Sequence, residues 1–184
     1  MEIIDCSRKT AADEFGHMFF EKIKVADDSF DKIIVLCIGT DRATGDSLGP
    51  IIGYKLTAQR GFKRKIRVFG TLESPVHANN LSAVISGIHK VYKNPFIVAI
   101  DASLGKEEHV GFSTIEVGTI KPGIGVNKTL PEVGNVAITG IVNVSSGDGF
   151  RLLQNTRLGV VMKMADVISK GIYSGLKLYY ENCS

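Results

Sequence analysis

Residues 33–50 read IIVLCIGTDRATGDSLGP. The first seven, Ile33 to Gly39, form a short β-rich apolar run without polar alternation, as expected of a strand covered on both faces. The chain then turns polar, placing Asp41 and Asp46 before apolar character returns at Leu48. Many α/β proteins put a phosphate-binding loop at this point. The P-loop pattern G-x-x-x-x-G-K-[ST] does not fit, because Gly39 and Gly45 stand one residue too far apart and Asp46 occupies the lysine position. A carboxylate there repels phosphate. The dinucleotide pattern G-x-G-x-x-G is also absent, so no nucleotide cofactor is expected, nor any other.

Outward from this stretch, strands and helices alternate. A helix is expected from about Leu48 to Gln59, and IRVFG (66–70) returns as a strand. Ser74-Pro75 predicts the next helix start, with Ser as N-cap and Pro at the first helical position. That helix runs through ANNLSAVISGIHK, and FIVAID (96–101) follows as another buried strand closed by Asp101. Such alternation calls for a mostly parallel central sheet with helices on both faces, a three-layer αβα sandwich. HVGFSTIEVG (109–118) alternates and predicts a hairpin or an edge pair. A Gly-rich loop, KPGIGVNKTLPEVGN, follows it, and AITGIVNV (137–144) is the last predicted strand. Leu158, Val161, Ala165, Ile168 and Ile172 recur at helical steps along a terminal packing helix, which Gln154, Asn155 and Arg157 are expected to open. At the other end, residues 8–23 read as an amphipathic helix. Residues 1–184 are read as one αβα domain, with residues 1–30 supplying a helix and connector packed on it.

Bulk properties narrow the partners. A hydrophobic content of 44%, a charged content of 22% and a net charge of +3 are ordinary for a globular protein and lack the basic stripe of a nucleic-acid binder. The densest basic patch, KRKIR (63–67), is read as a solvated rim. No segment approaches the roughly 20 apolar residues of a membrane span, and MEIIDCSRKT is not a signal peptide. Three cysteines without a C-x-x-C pair read as reduced thiols, which favours the cytoplasm. Neither nucleic acid nor membrane is therefore an expected partner; both monomer and homodimer remain open.

The candidate chemistry rests on Asp46 and Asp101, since ligands of open α/β sheets bind at the carboxyl ends of strands. If their strands are neighbours, the two carboxylates approach across a cleft. Two close carboxylates share a proton; one activates water while the protonated partner polarises a carbonyl. The same pair can instead hold a divalent metal. In the plainer reading Asp46 caps the following helix. Asp41 is either a third acid or the maker of an Asx turn. His77 is expected in the first turn of the helix begun at Ser74, as a neutral hydrogen-bonding group or a surface bystander. Asn127 and Lys128, in GVNK (125–128), either stabilise an oxyanion or belong to an ordinary turn. His17 and His89 read as helix-face residues. Cys37 is buried mid-strand, and no G-x-S-x-G elbow supports a serine triad.

Together IGTDRATGDSLGP, GTLESPVHANNL, AIDASLG, GVNKTLPEVG, ITGIVNV and LQNTRL resemble the YyaC-type sporulation proteins of endospore-forming bacteria, over about Ile33 to Ala165. Those proteins are similar in turn to the spore germination protease, which degrades small acid-soluble spore proteins, and more distantly to hydrogenase maturation proteases. The resemblance implies a phosphorylase/hydrolase-like αβα fold and a sporulation-associated, peptidase-like protein acting on a protein or peptide substrate inside the sporulating cell or spore. It carries the proposed catalytic aspartates onto Asp46 in TGDSLGP and Asp101 in AIDAS. It implies no metal set: the histidine that joins the two acids at nickel in maturation proteases has no match, since beyond Asp101 only His109 remains, too close in sequence. Besides the peptidase, a non-catalytic partner-binding protein and a metal-dependent hydrolase stay open.

Overall fold

The computed structural model describes residues 1–25, 30–59, 66–122 and 130–182. Its centre is the strand β2, Lys32–Cys37, whose residues from Ile33 onward are wholly buried. Successive side chains point to opposite faces of a strand. Ile33, Val35 and Cys37 therefore enter one hydrophobic core, and Ile34 and Leu36 enter a second across the sheet.

The other strands are β1 (Glu2–Asp5), β3 (Ile66–Phe69), β4 (Pro95–Gly105), β5 (Phe112–Val117) and β6 (Val136–Val144), and the sheet order is β1-β5-β6-β4-β2-β3. β3, β2, β4 and β6 are parallel, and β5 runs antiparallel to both β6 and β1. The helices α1 (Ala11–Lys24), α2 (Leu48–Ala58) and α5 (Leu158–Asn182) cover one face. On the other, α3 (Leu81–Val91) packs Leu81 and Ile88 onto Ile34, Leu36 and Ala99. This is the expected three-layer αβα sandwich with a mostly parallel sheet. Among the described residues no helix is long and apolar enough to cross a membrane.

Five local expectations are corrected. β1 was not foreseen; it is only four residues long, and it makes the sheet edge, so the 112–117 strand lies inside the sheet. An ion pair between Lys22 and Glu2 ties this strand to α1. The helix expected at Ser74 begins instead at Leu81. Val76 stays extended, bridging Ile38 in parallel, because this buries it at the end of β2 where a first helical turn would not. Next, β4 does not close at Asp101 but continues to Gly105. Finally, residues 149–154 form a separate helix, α4 (Gly149–Gln154), capped by Asp148, whose carboxylate accepts from the Phe150 and Arg151 N–H groups. Gln154 thus ends α4, and Leu158 opens α5. The helix read over 8–23 starts later as well, at Ala11, after a turn in which Asp5 accepts from the Ser7 N–H and hydroxyl at 2.8 and 2.9 Å.

The first turn of α2 lies directly on the end of β2, and a Cβ at Gly49 would overlap the Ile38 carbonyl. Gly87, on α3, faces open space. Chemical denaturation is expected to report a loss of about 1–3 kcal/mol or more for Gly49→Ala, an overpacking cost. Gly87→Ala is expected to gain about 0.5–1 kcal/mol through helix propensity.

Candidate functional site

The loop after β2 closes on itself. Gly39, at φ +140°, donates its N–H to the Val76 carbonyl (2.8 Å), and the Thr40 N–H donates to the Asp46 carbonyl (3.1 Å). A Cβ on Gly39 would overlap that carbonyl, so the closure needs glycine both for space and for its backbone conformation. Asp46 sits in a 3-10 turn, Gly45–Ser47, that leads into α2, and no side chain caps either element. Its carboxylate is therefore not used as a helix cap. The turn before it is made by Thr40, whose hydroxyl accepts from the Arg42 N–H at 3.4 Å, so no Asx turn of Asp41 is needed to shape it.

Asp101 lies on the neighbouring strand. β2 and β4 pair from Lys32↔Pro95 to Cys37↔Ile100, and the Ile38 N–H donates to the Ile100 carbonyl at 2.7 Å. Asp101 thus stands one residue past the last β2–β4 pair, at the carboxyl end of β2. Its side chain is 7% exposed and accepts from the Ala102 N–H at 2.9 Å.

Between the loop and β4 opens a cleft of about 420 Å³. Asp41, Asp46, His77 and Asp101 all line it, so four of the six expected site residues converge; Asn127 and Lys128 lie outside the described residues. Asp41 is exposed at the rim, next to Arg42. His77 reaches the cleft from an extended segment and not from a first helical turn. Asn80 fixes that segment by accepting from the His77 N–H (2.8 Å) and donating to the Pro75 carbonyl (3.0 Å). The Asn79 N–H donates to His77 Nδ1 at 3.3 Å, so this nitrogen acts as the acceptor in that bond.

Burial raises the Asp46 carboxyl above its ordinary value, against the opposing pull of the Thr40 N–H and the His77 charge. Cys37 is also in a low-dielectric setting; burial pushes its thiol far up, so it is no nucleophile. Among the described residues no group of three or more His, Cys, Asp and Glu side chains is placed to hold a metal ion. The cleft aspartates and His77 form no such group. His17 and His89 are exposed on α1 and α3. Gln154, Asn155 and Arg157 are exposed and do not line the cleft.

One wall of the cleft escaped the sequence reading. Phe150 and Leu153 of α4 line the cleft too, with Leu153 packed against Gly45 beside Asp46, and Leu104 extends the apolar lining from β4. The only sequence signal was Asp148-Gly149 as a helix start, and six residues are too few for a periodic pattern.

Residues 3–171 match the family described as Protein of unknown function (DUF1256), and the chain belongs to that family. Within it, YyaC of Bacillus subtilis (strain 168) is 53% identical over 140 residues, covering 76% of this chain and 67% of that protein. Among solved structures, the NiFe hydrogenase maturation protease HycI from Thermococcus kodakarensis KOD1 is similar at 12% identity and a TM-score of 0.48, covering 79% of this chain and 95% of that one.

The raised Asp46 carboxyl sets a testable sign. A carboxyl with a raised folded-state pKa stabilises the fold below its ordinary value of 3.8 and loses that contribution as pH rises through the folded value. At pH 7 the ionised side chain is a liability. Asp46→Asn is therefore expected to melt above the parent at pH 7, by about 2–4 °C per kcal/mol recovered. The advantage should vanish as pH falls toward 4 in scanning calorimetry.

Proposed function

We propose that the chain is a peptidase-like hydrolase in which Asp46 and Asp101 act as a carboxylate pair on a protein substrate. The observation that carries this reading is the convergence of both acids on one cleft at the end of two adjacent parallel strands, with Asp46 biased by burial toward its protonated form. The resemblance to the spore germination protease suggests small acid-soluble spore proteins as the substrate type and the sporulating cell or spore as the setting.

Asp46 then serves as the acid and Asp101 as the base. A water bound between them loses a proton to Asp101 as its oxygen attacks the scissile carbonyl carbon, while Asp46 protonates the carbonyl oxygen. The resulting gem-diol returns a hydroxyl proton to Asp46. Asp101 passes its proton to the departing nitrogen, the C–N bond breaks, and the pair regains its starting state. A reaction of this kind needs one proton shared on the pair, so its rate falls on both sides of an optimum.

The test is incubation of small acid-soluble spore proteins with purified protein from acidic to neutral pH, beside Asp46→Asn and Asp101→Asn. Defined cuts are expected from the parent, falling by about two or more orders of magnitude in each variant. Folded parent protein that cuts nothing would overturn the reading and leave the cleft as a binding groove. Cuts that persist in both variants would remove the acids from the mechanism.

A further inference from the structure

β2 and β4 end at different heights. Their pairing stops at Cys37↔Ile100, yet β4 runs on to Gly105 and stays paired with β6 as far as Gly105↔Val144. Backbone polar groups of alternate strand residues face the same side. The Ile97 carbonyl accepts from Asn135 on the β6 side, and the Ile100 carbonyl accepts from Ile38 on the β2 side. By that alternation the Ala102 backbone faces the β2 side, beyond the end of β2. Its N–H is turned onto the Asp101 carboxylate, and by the same alternation its carbonyl lies on the β2 side, where Ala102, Ser103 and Leu104 line the cleft. No strand among the described residues pairs with this side of β4 past Ile100. An overhanging strand edge is a template for another extended chain.

The wall that α4 supplies is apolar and held firmly. Phe150 is 50% exposed, and Leu153 lies one turn further along the same face of α4. The Asn143 side chain on β6 donates to the Leu152 carbonyl at 2.9 Å, tethering α4 to the sheet. Between Ser103 and Leu104 the β4–β6 register shifts by a residue, an irregularity that re-aims side chains beside sites. Asp41 on the loop and Asp101 on β4 bring acidic charge to the cleft, beside Arg42 and His77 among the described lining residues. The cleft thus combines a backbone template, an apolar seat and a field that disfavours acidic side chains.

We infer that the cleft takes an extended peptide as an added strand on the β4 overhang, with a large apolar side chain seated against Phe150 and Leu153. This deepens the peptidase reading, resting on it for cleavage but not for binding. The seated side chain sets specificity, and the Ala102 carbonyl sets register by accepting a peptide N–H.

The test uses fluorescein-labelled, capped octapeptides of alternating threonine and valine with leucine at the fourth position, followed by anisotropy and by chromatography for cleavage. Controls carry aspartate at that position or N-methyl groups on single amides. The leucine peptide is expected to bind at least about tenfold more tightly than its aspartate twin. N-methylation should abolish binding at alternate amides and spare those between. Phe150→Ala should weaken the leucine peptide by about tenfold at an unchanged melting temperature. Phe150→Trp supplies the only indole in a chain without tryptophan, and its emission should shift to the blue with the leucine peptide alone. Equal binding of the leucine and aspartate peptides, indifference to N-methylation, or no binding at millimolar peptide would overturn the inference. Peptide bound in the expected pattern but never cut would sink the peptidase reading and leave the inference standing. Cutting without leucine or amide preference would do the reverse.

Discussion

The hydrogen bond from the Ile38 N–H to the Ile100 carbonyl is the last link between the two central strands, and the cleft depends on where it falls. Beyond it β2 must leave the sheet, because the first turn of α2 returns so closely that Gly49 touches the Ile38 carbonyl. The intervening residues have no room to continue as strand and fold into the closed loop that carries Asp46. β4 meets no such obstacle and goes on, carrying Asp101 to the level of that loop. One strand stopping while its neighbour continues brings Asp46 and Asp101 to one cleft and leaves the open edge beside it.

The layers of the fold were legible because their signals are long or chemically simple. Ile33 to Gly39 and Phe96 to Asp101 are too apolar for anything but buried strands, and α5 repeats its apolar residues over 25 positions. Asp101 was legible for the same reason, since a carboxylate at the end of such a run stands out, whereas Asp46 was legible from the polar loop that follows the first run. Shorter features were not. β1 has four residues, and α4 has six. Ser74-Pro75 carries a genuine helix-start pattern, but tertiary burial of Val76 outweighed it, and Asn80 took over the bonding. His77 reaches the cleft by a route that no local rule describes. Asp101 read as a strand end because the apolar run ends there; the pairing with β6 that prolongs β4 is a property of a distant segment.

Asp46 is a local cost to the stability of the fold. A half-buried carboxylate lacking a cap bond or salt bridge is a poor choice for stability, and burial shifts it toward the neutral acid. The surrounding structure compensates. Thr40 and Val76 lock the loop backbone, α2 and α5 pack as a unit, and Asn143 anchors α4. The local cost is thus embedded in an otherwise well-satisfied frame.

The sheet order brings together residues that are far apart along the chain. The cleft is assembled from a loop near residue 40, an extended segment near 77, a strand end near 102 and a helix near 151. Such non-local contacts form late in folding, after loop-closure entropy has been overcome. A chain emerging from the ribosome carries both aspartates long before it possesses α4 and its apolar wall. Until α4 has been made and docked the cleft lacks its apolar wall, so its sides come together only after most of these segments are in place.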